Sequence, residues 1–322
     1  MSDKLFSGVL AAAQQAKLLR GERLTRMLES ESGEEALKSA FEGGFGGGTA
    51  TTLEQAVLFE RNALADFIRV NCPTEKLKQY LLCRYDFLNA ETLVKAKYVH
   101  FDCEGALSEC GTVPSKLMKE YVDNSDYGAL PKELADALKN ADVAYGENKA
   151  DGYEINNLFV KAYYAYIKRL AKFGCFSFDV KQRIDSVNLM TAVRVDGDVE
   201  ALKNSFIEGG TIPFERVKSV AVQDAEKTEK DFLFDKSREF VDALLTDVRA
   251  RRPLIAAENA ADSNAVRRLS DKRLDLKPIE EFYLYCLYKQ TQITNVNVIV
   301  VGLDGGVDRS EIKARLRTSY EI

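Results

Sequence analysis

The sequence has no tryptophan, a single histidine and only six prolines in 322 residues. Scarce proline leaves long helices with few interruptions, because an interior proline removes a backbone bond and clashes with the preceding turn. The one histidine, His100, stands in His100-Phe-Asp-Cys103, with Cys110 seven residues beyond Cys103. Three soft ligands without a second Cys/His pair cannot close a tetrahedral zinc site. No third residue is recognisable to orient a base, which argues against a Cys103/His100 nucleophile pair. Gly-x-Ser-x-Gly, His-Glu-x-x-His and Gly-x-Gly-x-x-Gly are all missing, so no catalytic residue, cofactor site or metal site is expected. The six cysteines (Cys72, Cys83, Cys103, Cys110, Cys175, Cys286) form no Cys-x-x-Cys pair and read as reduced core thiols. No apolar run approaches the ~18 residues that span a bilayer, and Met1-Ser-Asp-Lys opens a polar segment without a signal core. A cytoplasmic protein without membrane insertion is expected. The net charge of −5 disfavours a general binder of nucleic acid or anionic membrane.

What the sequence does contain is a repeat. Arg84-Tyr-Asp86-Phe-Leu-Asn89-Ala-Glu-Thr92-Leu-Val94, followed by Glu109-Cys-Gly111-Thr112-Val-Pro114, returns as Arg183-Ile-Asp185-Ser-Val-Asn188-Leu-Met-Thr191-Ala-Val193 and Glu208-Gly-Gly210-Thr211-Ile-Pro213. The offset is 99 residues throughout, and nine positions between 84 and 114 are identical without a gap, where chance gives roughly two. A fainter third copy lies near the C-terminus, with Gln292-Ile-Thr-Asn295 in place of Asp-x-x-Asn. Three related units follow, set at 1–115, 116–215 and 216–322. An i to i+3 separation puts Asp86 with Asn89, and Asp185 with Asn188, on one helical face. Because the pattern recurs where an active site would be unique, these side chains read as bonding a neighbouring helix end or loop in each unit. Gly111-Thr112-Val-Pro114 reads as a helix stop, a cap and a proline near the next first turn.

Residues 3–41 read as helix, with Leu10, Gln14, Leu18, Leu24 and Leu28 on a loose stripe. Gly43-Gly-Phe-Gly46-Gly-Gly48-Thr49 superficially resembles a phosphate loop. It lacks the lysine and follows a helix instead of a strand, so a flexible helix–helix turn is the better reading. Thr51-Thr-Leu-Glu54 reads as a capping box, and Pro73 as the opening of the next helix. Ile155, Leu158, Phe159, Ala162, Tyr163, Tyr166, Ile167 and Leu170 predict a core-facing helix that Gly174 stops, with Asp179 capping the following one. Leu233, Phe240, Val241, Leu244, Leu245 and Val248 form another stripe. It runs into a basic stretch, in which Arg249, Arg251, Arg252, Arg267, Arg268, Lys272 and Arg273 face only Glu258, Asp262 and Asp271, a local balance of +4. A solvated face is the plain reading and an acidic protein partner the sharper one. Pro278 starts a last apolar helix, and Val296–Val301 alone would read as a short buried strand.

The final stretch, Glu281-Phe-Tyr-Leu-Tyr-Cys-Leu-Tyr-Lys289-Gln-Thr-Gln292-Ile-Thr-Asn295-Val-Asn-Val-Ile-Val-Val-Gly302, closing on Ile312-Lys-Ala-Arg-Leu316, resembles the C-terminal region of the V-type (A-type) ATPase C-subunit family, the prokaryotic counterpart of the d-subunit in the eukaryotic central stalk. The two Asp-x-x-Asn elements belong to the same resemblance, which extends over the whole chain. Gln290 and Gln292 stand where the family commonly has acidic residues, and Asn297 where it has Arg. The resemblance implies an all-α fold of three related units in a funnel-shaped pseudo-threefold arrangement, and a helix across Val296–Val301. It also implies a non-catalytic rotor component, placed between the rotor-shaft subunits of the catalytic head and the membrane rotor ring on the cytoplasmic face. The residues alone leave a second reading open, a soluble helical-repeat adaptor unrelated to an ATPase.

Overall fold

A computed structural model describes residues 3–147, 151–172, 174–222, 225–232, 238–250 and 253–320. Among them the fold is all helical: α1 (Asp3–Gln15), α2 (Gly21–Glu29), α3 (Gly33–Glu42), α4 (Leu53–Asn71), α5 (Glu75–Val99), α6 (Ser115–Asp123), α7 (Lys132–Gly146), α8 (Gly152–Leu170), α9 (Gly174–Arg194), α10 (Val199–Ser205), α11 (Phe214–Ala221), α12 (Ala225–Phe232), α13 (Arg238–Arg249), α14 (Ile255–Ser270), α15 (Pro278–Asp304) and α16 (Arg309–Ala314). No described helix is long and apolar enough to cross a membrane. Two compact units are present, one of Thr74–Asp231 and one that joins residues up to Pro73 with those from Phe232 on.

In the unit built from both ends of the chain, α15 is the hub. Its residues Phe282–Tyr288 are buried in an unbroken run, as expected of a helix enclosed by others, and it packs against α1, α2, α3, α4, α14 and α16. Ile293, Val296, Ile299 and Val300 of α15 share one core with Leu24 and Met27 of α2, Ala36 and Ala40 of α3, and Ala56 and Val57 of α4. The run Val296–Val301 is therefore helical, as the resemblance implies and against its β-branched composition. Six residues are too short a run to fix a period, and the packing of Val296, Ile299 and Val300 against neighbouring helices overrides local propensity.

The N-terminal stretch departs from the single helix expected over 3–41, since it breaks at residues 16–20 and again at 30–32. Ser32 caps α3 by accepting the Glu35 amide at 3.2 Å, while the Glu35 carboxylate accepts the Glu31 amide at 2.8 Å. This reciprocal cap satisfies donors that a continuous helix would not expose. The cap at α4 lies one residue beyond the expected position: Thr52 accepts from the Gln55 amide, and Gln55 Oε1 accepts from the Thr51 amide. Helix α5 opens at Glu75 with Thr74 as its cap, so Pro73, expected to open it, stands just outside. Asp179, expected to cap a helix, is buried inside α9, which already begins at Gly174; α8 ends at Leu170. Leu233 of the expected stripe lies outside the described residues.

In the other unit α5 packs on α6, α7 and α8, and α9 packs on α8, α10 and α11. Phe87 of α5 sits 5.7 Å from the Tyr163 ring and 5.8 Å from the Tyr166 ring of α8, and Tyr80 lies edge-on to Phe176 of α9 at 5.8 Å. Asp142 of α7 ties this packing together with polar bonds. It accepts from the Tyr98 hydroxyl (2.9 Å), the Tyr127 hydroxyl (2.6 Å) and the Ser125 hydroxyl (3.0 Å), with Lys97 at 3.4 Å. Burial alone would raise the Asp142 carboxyl, but these hydrogen bonds and the Lys97 charge outweigh it and hold the group below its ordinary value. On the other side of the bond, burial and then Asp142 push the Tyr98 hydroxyl up to about 12. A carboxylate depressed in the folded state stabilises above its unfolded pKa and loses that contribution as pH falls through the folded value. Asp142→Asn, a mimic of the protonated acid, is therefore expected to cost about 1–2 kcal/mol at pH 7. The gap to the parent protein should narrow at pH 2, below the ordinary aspartate value, as the depressed folded value is approached. Urea melts at the two pH values check this; an equal gap at both would refute it.

Candidate functional site

The repeated element sits on two long helices, α5 and α9, and in each it staples the loop that follows. Asp86, buried on α5, accepts from the Thr112 amide (2.8 Å), the Thr112 hydroxyl (2.6 Å) and the Val113 amide (3.0 Å). Asp185, buried on α9, accepts from the Thr211 amide (2.8 Å), the Thr211 hydroxyl (2.5 Å) and the Ile212 amide (3.0 Å). One helical turn away, Asn89 grips the backbone of Ser108: its Nδ2 donates to the carbonyl at 2.7 Å and its Oδ1 accepts the amide at 2.9 Å. Asn188 does the same to Ile207, at 2.9 Å in both directions. A Cβ placed on Gly111 would collide with the Asp86 carboxylate, and one on Gly210 with that of Asp185. The identity of glycine, threonine and aspartate at the 99-residue offset thus has one physical cause, a carboxylate held against bare backbone, and the asparagine recurs for its own two-way grip on the chain.

The third copy keeps half of the device. Asn295, fully buried on α15, grips Arg317 through its carbonyl and amide, both at 2.9 Å. Gln292, at the aspartate position, accepts the amide of Leu19 at 2.8 Å. Of the arginines that open each element, Arg84 is exposed on α5, while Arg183 is half-buried on α9 and its charge acts on the Tyr163 hydroxyl. These clusters bind backbone and display no reactive group.

The basic stretch is divided. Arg251 and Arg252 lie outside the described residues. Arg249 is exposed at the end of α13, Arg268 is half-buried, and Lys272 is exposed. Arg267 donates to the Thr318 hydroxyl at 3.1 Å, and Arg273 donates to the Tyr320 hydroxyl at 3.2 Å while lying 5.2 Å above its ring. Two of the cations therefore hold the segment after α16, with help from Asp262, which pairs with Arg317 at 3.1 Å. Leu274, fully exposed, stands beside Lys272 and Arg273.

His100 is the exposed left-handed C-cap of α5, and Cys103 and Cys110 are buried. Among the described residues no cluster of His, Cys, Asp and Glu has the makings of a metal site. Gly44, Gly46, Gly47 and Gly48 all have positive φ, and the Gly46 amide, which a phosphate would need, donates at 2.7 Å to the buried carboxylate of Glu60. Glu60 in turn pairs with Lys289 of α15. Sequence reasoning missed this pair, because nothing in the spacing of 60 and 289 marks them as partners.

A search of curated proteins finds no match to the chain. The family model described as ATP synthase (C/AC39) subunit matches residues 10–315, and the chain belongs to that family of V/A-type ATPase subunits.

Proposed function

We propose that the chain is the non-catalytic central-stalk component of an ion-translocating V/A-type ATPase. It links the rotor-shaft subunits of the catalytic head to the membrane rotor ring and transmits torque for ATP-driven ion transport or ATP synthesis. The observation that carries this reading is family membership over residues 10–315. Torque transfer asks for stiffness and two large interfaces rather than a reactive group. Stapled loops on buried helices suit that demand. The funnel-shaped arrangement of three units and a peripheral position on the cytoplasmic face belong to the same proposal.

The test is co-elution of the purified chain with the shaft subunits and, separately, with the detergent-solubilised ring. Binding to both is expected; binding to neither by a folded chain would end the proposal. The exposed basic edge formed by Lys272, Arg273 and Leu274 is assigned to one of these interfaces. Because Arg267 and Arg273 also hold the C-terminal segment, the cleaner probe is Lys272→Glu with Leu274→Asp. Reversing a charge and removing an exposed apolar anchor should weaken one of the two associations about ten-fold at physiological salt. Unchanged binding to both partners would remove this edge from the interface.

A further inference from the structure

Each staple has the same sequel along the chain. After α5 come a 3-10 turn at Glu104–Ala106, the gripped residue Ser108, the donor amide of Val113 and then α6. After α9 come α10, the gripped residue Ile207, the donor amide of Ile212 and then α11. After α15 come α16 and the gripped residue Arg317, but the donor amide is Leu19 and the helix it introduces is α2. Val113, Ile212 and Leu19 each stand two residues before the first residue of their helix, at Ser115, Phe214 and Gly21.

The three helices also match in a second, independent way. They have nine, eight and nine residues, and each buries an apolar side chain at its fourth position: Met118, Val217 and Leu24. Leu24 lies in the core shared with α15.

We propose that α2 is the last element of the third repeat, supplied from the other side of the sequence, and that the Gln292–Leu19 contact is the seam at which the fold opens first. At the other two junctions a carboxylate draws in three donors, and hydrogen bonds to an ionised acceptor are roughly twice as strong as neutral ones. At the seam a neutral amide oxygen holds one backbone N–H, with no continuous chain to keep α2 in place. Helix α1 lies outside the repeat and packs along α15, where Gln15 donates to Glu281 at 2.7 Å. It acts as a strap across the seam. This inference is independent of the ATPase assignment.

Hydrogen exchange on the full chain tests it. In the parent protein the Leu19 amide should exchange about ten-fold faster than those of Val113 and Ile212. Gln292→Ala should speed Leu19 and the first turn of α2 by a further ten-fold or so, at a site 273 residues away in sequence, without changing Val113 or Ile212. Gln292→Glu, measured at pH 8, should restore an ionised acceptor and slow Leu19. Equal protection at the three junctions of the parent protein would overturn the proposal, as would Leu19 exchange that ignores Gln292→Ala. If the alanine variant does not fold, the glutamate variant decides: slower Leu19 exchange supports the seam, and unchanged or faster exchange overturns it.

Discussion

Asp185→Ala is expected to destabilise the protein by about 3–5 kcal/mol. The carboxylate is buried and receives the Thr211 amide, the Thr211 hydroxyl and the Ile212 amide. Its removal strands those donors in a site that offers little water. A hydrogen bond to a charged group contributes about 1.5–3 kcal/mol, and a buried donor left unpaired costs about 1–3 kcal/mol. For a unit of this size the loss corresponds to a fall in Tm of roughly 10 °C. Asp86→Ala should behave alike, since its three bonds have the same donors in the same order. Gly210→Ala should approach the same cost by a different route, by pushing the carboxylate off its donors. Arg84→Ala is the control. Arg84 is as faithfully repeated as Asp86 but exposed, so its change should stay within about 0.5 kcal/mol. A melting temperature for Asp185→Ala within about 2 °C of the parent protein would refute the staple as a source of stability.

Arg84 and Asp86 mark the limit of what a repeat reveals. Both recur, and the offset alone cannot say which one faces the interior. The i to i+3 spacing of Asp86 and Asn89 did disclose a shared face, and the recurrence of the pair did disclose a bond to a neighbouring loop instead of a reaction. The loop's residues were also on view, as the repeated Gly-Thr, but the grip on Ser108, Ile207 and Arg317 runs to backbone and leaves no side-chain signature. The helical character of the fold was legible from scarce proline and from stripes such as Ile155, Phe159, Tyr166 and Ile167. The strand-like Val296–Val301 was not: Val296, Ile299 and Val300 are buried while Asn297 and Val301 are exposed, a helical spacing, but six residues are too few for it to outweigh five β-branched side chains.

The break at Ser32 carried a readable signal, Ser32-Gly-Glu-Glu35, which a search for one long amphipathic stripe passes over. The pairing of Leu19 with Gln292 left none, although Gln292 itself stood at the aspartate position of the third copy. Local propensity and periodicity describe neighbours in sequence, and the core that joins α2, α3, α4 and α15 is assembled from residues more than 200 positions apart.

The Glu60–Lys289 pair belongs to that long-range class, and its disruption is the second large effect expected. Glu60 of α4 has 4% of its side chain exposed and Lys289 of α15 has 14%. One carboxylate oxygen takes the Lys289 ammonium and the other takes the Gly46 amide. Lys289→Met leaves a buried carboxylate without its counter-charge, a change that costs about 3–5 kcal/mol. Glu60→Gln should cost less, because the Gln oxygen still accepts from Gly46 while the partly exposed Lys289 head can reach water. The double variant, Lys289→Met with Glu60→Gln, removes both charges and keeps the Gly46 acceptor. It should recover most of the loss, to within about 1–2 kcal/mol of the parent protein, since neutral replacements of a buried pair are often tolerated. The coupling energy from the four denaturant melts should then exceed about 2 kcal/mol, and it should change little between low and high salt because the pair is shielded from mobile ions. Additive costs would mean that each residue acts through its packing alone, and the glycine turn would then depend on Glu60 as a hydrogen-bond acceptor and not as an ion.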